Sequence, residues 1–413
     1  VQFIGYDELE ASVDIVKYRK VKAKGKEQYQ LVFNITPFYA ESGGQVGDTG
    51  TIESGSEAID IIDTKKENDL FIHITEKLPS DPSKIFKATV NKRKRALTAS
   101  NHSATHLLHA ALKKVLGSHV AQKGSLVNED YTRFDFSHFS KVTDAELKQI
   151  EEIVNKKIRE NIPLEEQRNV PIQQAIDSGV TALFGEKYGE FVRVITFDKN
   201  FSSELCGGTH VKATGHIGLC KIISEGAVAA GVRRIEAITS DKAEEYINSQ
   251  LENIEKLKAL LNNPKDLVKA TEALKDENQL LQQKIEELIR EKASGYKDEL
   301  IKSIKTGNGF NFIAEKIDLP SAEAIKNLAF ELRNQVSDLF LVLGAEIEGK
   351  AHITVMLSDN IVESKKLNAV QIIKDLAKEI QGGGGGQAFY ATAGGKNPDG
   401  IKNVINLAKN YLN

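Results

Sequence analysis

The sequence predicts an α+β fold: a β-barrel, then a mixed α+β unit that can hold a metal, then a helical coiled-coil hairpin, and last a C-terminal α/β domain. Three observations carry this. Residues 1–91 are short β-rich runs separated by Gly, Asn, Asp and Pro turns. Residues 92–240 mix helical spacing with β-rich runs around a cluster of His and Cys. Residues 241–303 are rich in Glu, Lys and Leu and contain almost no glycine.

In the first part, β-rich stretches at 12–18, 28–35, 58–63, 70–75 and 85–90 predict strands. Between them lies F-Y-A-E-S-G-G-Q-V-G-D-T-G (38–50), whose glycines predict a tight turn platform and not a helix. In the second part, Leu97, Ala104, Leu107, Leu108, Ala111 and Val115 give helical spacing over 95–116, with Gly117 as its stop. A second helix is expected over 143–159, and β-rich runs at 191–197 and 217–224 complete the mixed unit. In the third, Leu267, Thr271, Leu274, Asn278, Leu281, Ile285 and Leu288 alternate by four and three, the pattern of a coiled-coil seam. Asn262-Asn263-Pro264 interrupts it and predicts the turn of an antiparallel hairpin. From 304 onward, strands at 311–317, 339–345 and 352–357 alternate with helices at 321–336, 369–380 and 400–411. This part ends with the Gly-rich tract 381–395.

Composition narrows the function classes. With 413 residues, 40% hydrophobic and 27% charged, the chain reads as globular, and no apolar run approaches the length of a membrane span. No signal peptide is visible, and the two cysteines, Cys206 and Cys220, cannot make a disulfide framework. A cytoplasmic location is expected. The net charge of −3 argues against a surface built throughout for nucleic acid and leaves room for local basic patches. The chain opens on Val1 and its one methionine is Met356, which favours a segment of a longer protein over a free-standing one.

The chemistry concentrates in N-H-S-A-T-H-L-L-H and S-E-L-C-G-G-T-H. His102 and His106 are four apart on the expected helix, so both imidazoles leave one face. That is how a helix offers two nitrogens to one zinc. The metalloprotease pattern H-E-x-x-H is excluded because Ser103 stands where its Glu would be. Cys206 and His210 lie in a loop whose Gly207 and Gly208 allow thiolate and imidazole to converge. Together the four predict a Cys-His₃ zinc site. His109 is read as packing or support behind it, Cys220 as a small core residue, and His73, His119, His138, His216 and His352 as non-ligands.

Taken in order, F-Y-A-E-S-G-G-Q-V-G-D-T-G, H-S-A-T-H-L-L-H-A-A-L, H-V-A-Q-K-G-S-L-V, R-F-D-F-S-H, S-S-E-L-C-G-G-T-H-V and A-G-V-R-R-I-E-A resemble the C-terminal half of alanyl-tRNA synthetases. The resemblance spans the whole chain. It implies an editing domain that deacylates Ser-tRNA(Ala) and Gly-tRNA(Ala), with zinc on His102, His106, Cys206 and His210. It also implies Gln122 as an editing-site glutamine and Arg233 as a pocket residue. The terminal domain it implies binds tRNA and offers a homodimer surface.

No adenylate-forming domain is read in the chain, so ATP would act only through a part outside it, and no membrane partner is expected. Lys92, Arg93, Lys94 and Arg95 predict phosphate contacts beside the site. The tract 382–386 resembles a phosphate cradle but lacks the G-K-[ST] of a nucleotide loop. Since apolar Ala388, Phe389 and Tyr390 follow it directly, Gly383, Gly384 and Gly385 predict a close backbone approach to RNA and not a flexible linker. Two other readings stay open: a non-catalytic tRNA-binding or dimerisation module with a structural zinc, and a free-standing deacylase acting in trans.

Overall fold

The β-rich stretches of the first 90 residues form β1 (Gln2–Phe3), β2 (Glu10–Ala23), β3 (Lys26–Phe33), β4 (Ile35–Thr36), β5 (Gly50–Ser54), β6 (Glu57–Ile61), β7 (Asp63–Glu67), β8 (Leu70–Thr75) and β9 (Ile85–Val90). They belong to a computed structural model that describes residues 1–23, 25–182 and 188–412. It divides into two compact units, Val1–Leu257 and Lys258–Asn413.

Seven of these strands make one antiparallel sheet in the order β6-β5-β9-β2-β3-β8-β7, while β1 pairs in parallel with β4. Strand β2 joins the two halves: Glu10–Asp14 pair with β9, and from Ile15 onward the strand pairs with β3 across a bulge between Ile15 and Lys17. The expected barrel is not formed. Only Ile62 lies between β6 and β7, too short for a reverse turn, so the two edge strands take β5 and β8 as partners and not each other. Val13, Leu31, Phe33, Phe38, Ile52 and Phe86 fill the inner face of the sheet.

The chain then enters helix α1 (Lys92–Leu116), capped by Asn91, whose side chain accepts from the Lys94 N–H. After it come β10 (Gln122–Val127), β11 (Thr132–Ser137), α2 (Asp144–Arg159), β12 (Glu165–Pro171), α3 (Ile172–Asp177), β13 (Phe191–Phe197), β14 (Ser202–Leu205), β15 (Cys220–Ala229) and β16 (Val232–Thr239). The strands form two antiparallel sheets, β10-β11-β16-β15 and β12-β13-β14. Helix α2 starts on a Thr143–Glu146 capping box, in which each residue satisfies the other's backbone N–H. Every residue of α1 from Thr98 to Leu112 is buried. A helix wrapped on all sides must satisfy its polar side chains internally, and this requirement builds the site.

Helix α4 (Ser240–Leu260) is followed by α5 (Leu267–Lys302). Between them Asn262 and Asn263 take positive φ, which asparagine tolerates, so the helical run breaks where the sequence expects a turn. The expected seam residues Leu274, Leu281, Ile285 and Leu288 on α5 are exposed.

In the second unit, β17 (Lys305–Gly307), β18 (Phe310–Lys316), α6 (Ala322–Gln335), β19 (Leu339–Ile347), β20 (Lys350–Leu357), α7 (Asp359–Lys365), α8 (Ala369–Leu376), β21 (Gly382–Gln387), β22 (Tyr390–Gly395) and α9 (Ile401–Ala408) follow. The sheet order is β17-β18-β19-β20-β22-β21, with β18 and β19 parallel and the other neighbours antiparallel. The tract 382–386 is therefore the edge strand β21 and not the loop that a cradle would require. Its glycines alternate. A Cβ on Gly384 would stand 2.2 Å from the Thr392 carbonyl oxygen, whereas on Gly383 or Gly385 it would meet nothing within 4 Å. Among the described residues, no helix is long and apolar enough to cross a membrane.

Candidate metal centre

The two His-bearing motifs meet at the middle of α1. His102 and His106, one turn apart and buried, have ring centroids 5.3 Å from each other. The second pair arrives from the loop after β14. There the chain turns at Cys206-Gly207-Gly208, and a Cβ on Gly208 would lie 2.1 Å from the His102 ring. Only glycine lets the loop pass that close. The ligand atoms of His102, His106, Cys206 and His210 all lie within 4.8 Å of one another.

The donor set fits a tetrahedral metal. Cys206 Sγ is 3.4 Å from His102 Nε2 and 3.3 Å from His210 Nε2. Zinc bonded to one sulfur and one nitrogen at ordinary lengths separates them by about 3.5 Å along a tetrahedral edge. Burial holds the His102 and His210 imidazoles well below the usual histidine range, and His106 below it as well. All three are therefore neutral at physiological pH, the state in which imidazole binds a metal.

Residues that the motifs do not announce hold this loop in place. Arg193 Nη1 donates to the Cys206 carbonyl at 3.1 Å and to that of Gly208 at 2.6 Å. The Tyr6 hydroxyl donates to the Gly207 carbonyl at 2.6 Å. Arg193 also lies 3.9 Å over the Tyr6 ring, and its Nε bonds Glu166 at 2.6 Å. All three carbonyls of the turn are thus satisfied, which fixes where the thiol points. Burial raises the Tyr6 phenol above its ordinary range, so it stays a donor.

Behind the imidazoles lies a second set of polar groups. Gln45 Oε1 is 2.7 Å from His102 Nδ1, Ser103 Oγ is 3.1 Å from His210 Nδ1, and Glu204 Oε2 is 3.7 Å from His106 Nδ1. Glu204 Oε1 also meets His109 Nδ1 at 3.0 Å. Burial opposes charge on Glu204, but His106 and His109 hold its carboxyl ionised, down to about 2. Gln45 and Glu204 sit inside quoted motifs, yet nothing in their spacing marks them as partners of specific nitrogens.

In front of the donors is a cavity of about 60 Å³ lined by Ser42, Gly43, Thr105, Gln122, Ser125 and the Cys206–Gly208 turn, among others. Backbone bonds from Val46 N to the Val127 carbonyl and from Val127 N to the Gly44 carbonyl stitch the Gly-rich segment to the end of β10, which makes this wall. Gly44 has φ +81, and a Cβ there would strike Ser125 Oγ at 2.1 Å. Gln122 reaches Ser125 Oγ at 3.4 Å.

Other sequence expectations fall elsewhere. Arg233 does not line this cavity: its guanidinium is spent on Glu225, one strand over on β15, with Nη2 to Oε2 at 2.8 Å. Arg95 is not a phosphate contact. It is buried, with Nε 2.9 Å and 3.0 Å from the two oxygens of Asp48 and with its Nη atoms bonded to the carbonyls of Gly5 and Pro37. A helix sunk in the core can carry a guanidinium only by pairing it fully. Lys92 and Arg93 are exposed, paired at the surface with Glu10 and Asp241, and Lys94 pairs with Glu129. Cys220 is buried, and burial raises its thiol to about 12. Gly383, Gly384 and Gly385 lie in the second unit, on β21.

Comparison with known proteins agrees with the motif order. Residues 192–236 match the Threonyl and Alanyl tRNA synthetase second additional domain, residues 1–92 match tRNA synthetases class II (A), and residues 309–413 match the DHHA1 domain. The alanine-tRNA ligase of Cytophaga hutchinsonii is 56% identical over 412 residues, covering 100% of this chain and 47% of that protein. That of Christiangramia forsetii is 52% identical, covering 99% and 47%, and that of Bacteroides fragilis is 53% identical, covering 98% and 46%. The solved C-Ala domain of Aquifex aeolicus alanyl-tRNA synthetase aligns at 28% identity over 27% of this chain and 97% of that one, with a TM-score of 0.25. The chain spans about half the length of the curated relatives it matches. Over that span, with its motifs in the same order from end to end, it belongs to the alanyl-tRNA synthetase family.

Proposed function

We propose that this chain carries the editing site of an alanyl-tRNA synthetase and hydrolyses the ester of tRNA(Ala) mischarged with serine or glycine. The observation that carries the reading is the small polar cavity lying directly on the His102, His106, Cys206 and His210 donors. Those residues would hold zinc. When bound, zinc supplies electrophilic polarisation and lowers the pKa of water in contact with it.

The remaining work falls to the chain itself. Gln122 orients the polar end of the substrate, with Ser125 as its neighbour. The Gly43–Gly44 and Gly207–Gly208 turns bring backbone close to the reacting ester, where side chains would exclude it. Size cannot reject cognate alanine, because serine is larger than alanine and glycine is smaller. A missing methyl gives only about 1–3 kcal/mol. The hydroxyls of Ser42 and Ser125, which line the cavity, offer the polar contacts that a serine side chain would use. Lys92 and Arg93 at the start of α1, and the exposed strand β21 in the second unit, are the proposed contacts to the tRNA backbone.

The complete four-donor set favours a second reading of the metal alone, since four protein ligands are the habit of structural zinc. Zinc would then shape the pocket while the polar lining does the recognition. Deacylation of Ser-tRNA(Ala) by the chain, with and without a chelator, tests the activity. Cys206→Ala is expected to abolish it and to lose the metal; full activity in that variant would overturn the proposal.

A further inference from the structure

Each imidazole of the donor set has two nitrogens, and the one that faces a metal is decided by what holds the other. For His102 the holding group can be assigned without assuming the metal. Gln45 is wholly buried. Its Oε1 accepts from the backbone N–H of Thr209 at 2.9 Å, and its Nε2 donates to Thr209 Oγ1 at 3.0 Å. A backbone N–H can only donate, so the oxygen end of this carboxamide is fixed by Thr209 and not by histidine. The same oxygen is 2.7 Å from His102 Nδ1. An amide oxygen only accepts, so Nδ1 bears the proton. Nε2 is left with its lone pair, 3.4 Å from Cys206 Sγ.

The other two imidazoles are held less strictly. Ser103 Oγ accepts from Val211 N at 3.1 Å and lies 3.1 Å from His210 Nδ1, but a hydroxyl can act as donor or acceptor there. Glu204 faces His106 Nδ1 at 3.7 Å, beyond a hydrogen bond, so it orients that ring by charge. Only His102 has its tautomer enforced by a neutral group whose own orientation is independently anchored.

We infer that Gln45 is a positioning residue for the metal centre: it locks His102 with Nδ1 protonated and so presents Nε2 as the ligand atom. Gln45 belongs to the Gly-rich segment that carries the pocket wall, while Thr209 belongs to the Cys206 loop. Assembly of the donor set therefore depends on docking of that segment. The inference rests on the four residues as a metal site and is independent of which tRNA is edited.

The test uses the full chain stripped of metal and labelled with ¹⁵N-histidine. Long-range ¹H–¹⁵N correlation reads the His102 tautomer, and competition against a chromophoric chelator reads zinc affinity. Wild type is expected to show His102 protonated on Nδ1. Gln45→Ala should weaken zinc binding by about 10–100-fold, the usual effect of losing a group that orients a ligand. Gln45→Glu, whose carboxylate also accepts from both N–H groups, should keep the tautomer and restore most of the affinity, which a merely space-filling role would not require. A wild-type His102 protonated on Nε2, or Gln45→Ala binding zinc as tightly as wild type, overturns the inference. If Gln45→Ala does not fold, the wild-type tautomer and the Gln45→Glu affinity still decide it. Failure of the wild type to bind zinc would sink the metal reading, while the tautomer would still report on Gln45.

Discussion

Arg95 and Asp48 form a buried, bidentate ion pair that ties the first turns of α1 to the Gly-rich segment between β4 and β5. Asp48 Oδ2 also accepts from the Tyr39 backbone N–H at 2.7 Å, so one carboxylate anchors both the helix and the segment that carries Gln45. The metal ligands His102 and His106 stand two and three turns further along the same helix.

Removing either partner of this pair leaves a lone buried charge, which is expected to cost about 3–5 kcal/mol. Arg95→Met and Asp48→Asn should each lower the unfolding free energy read from urea denaturation by that amount. The double variant should lose much less than the sum of the two. Additive losses would show that the pair is not coupled.

His73 gives the fold a defined acid sensitivity. It is buried, stacked 3.9 Å from Phe33 and bonded to Thr36 Oγ1 at 2.7 Å, and burial lowers its pKa from 6.5 to about 3. Above 6.5 it is neutral whether folded or unfolded, so its contribution is fully present. As pH falls from 6.5 toward 3, the unfolded chain binds a proton that the folded one refuses, and stability drops by up to about 1.4 kcal/mol per pH unit. His73→Gln should show a shallower loss between neutral pH and about pH 4 in denaturant titrations. Parallel curves would contradict this account.

The alternation along β21 separates packing from contact. Gly384→Ala is expected to destabilise the second unit, because the methyl would meet the Thr392 carbonyl oxygen. Gly383→Ala and Gly385→Ala should leave thermal unfolding within a few tenths of a kcal/mol. If this edge lies against RNA, the same two variants should weaken tRNA binding measurably. Unchanged affinity in both would remove the edge from the binding surface.

At the start of α1, Lys92 and Arg93 are exposed and held in surface ion pairs that solvent screens strongly. They can be recruited to phosphate at little cost. Replacing both with alanine should weaken tRNA binding and reduce the slope of log K against log salt by roughly 1–2. A slope equal to wild type would place the contacts elsewhere.

Much of the chemistry was legible in the chain itself. The four-residue spacing of His102 and His106 is a property of any α-helix, and the Cys206-x-x-x-His210 loop needs only its glycines to close, so both pairs could be read before any fold was known. Helices and strands followed from hydrophobic period in the same way. Hidden were the features that depend on partners far apart in sequence. Arg95 looks like its basic neighbours until burial of the helix pairs it with Asp48 from 47 residues away. The Gly tract has no apolar period to mark it as a strand, and β22 alone gives it one to pair with. Arg233 looks available until β15 brings it Glu225.

Local sequence thus indicated which residues could bind a metal, because helical geometry and thiol and imidazole chemistry act over a few residues. Only the tertiary structure decided which nitrogen of His102 faces inward, which cations are spent in the core, and how the strands of the first sheet pair. Those outcomes depend on desolvation and on hydrogen-bond partners that packing alone brings together.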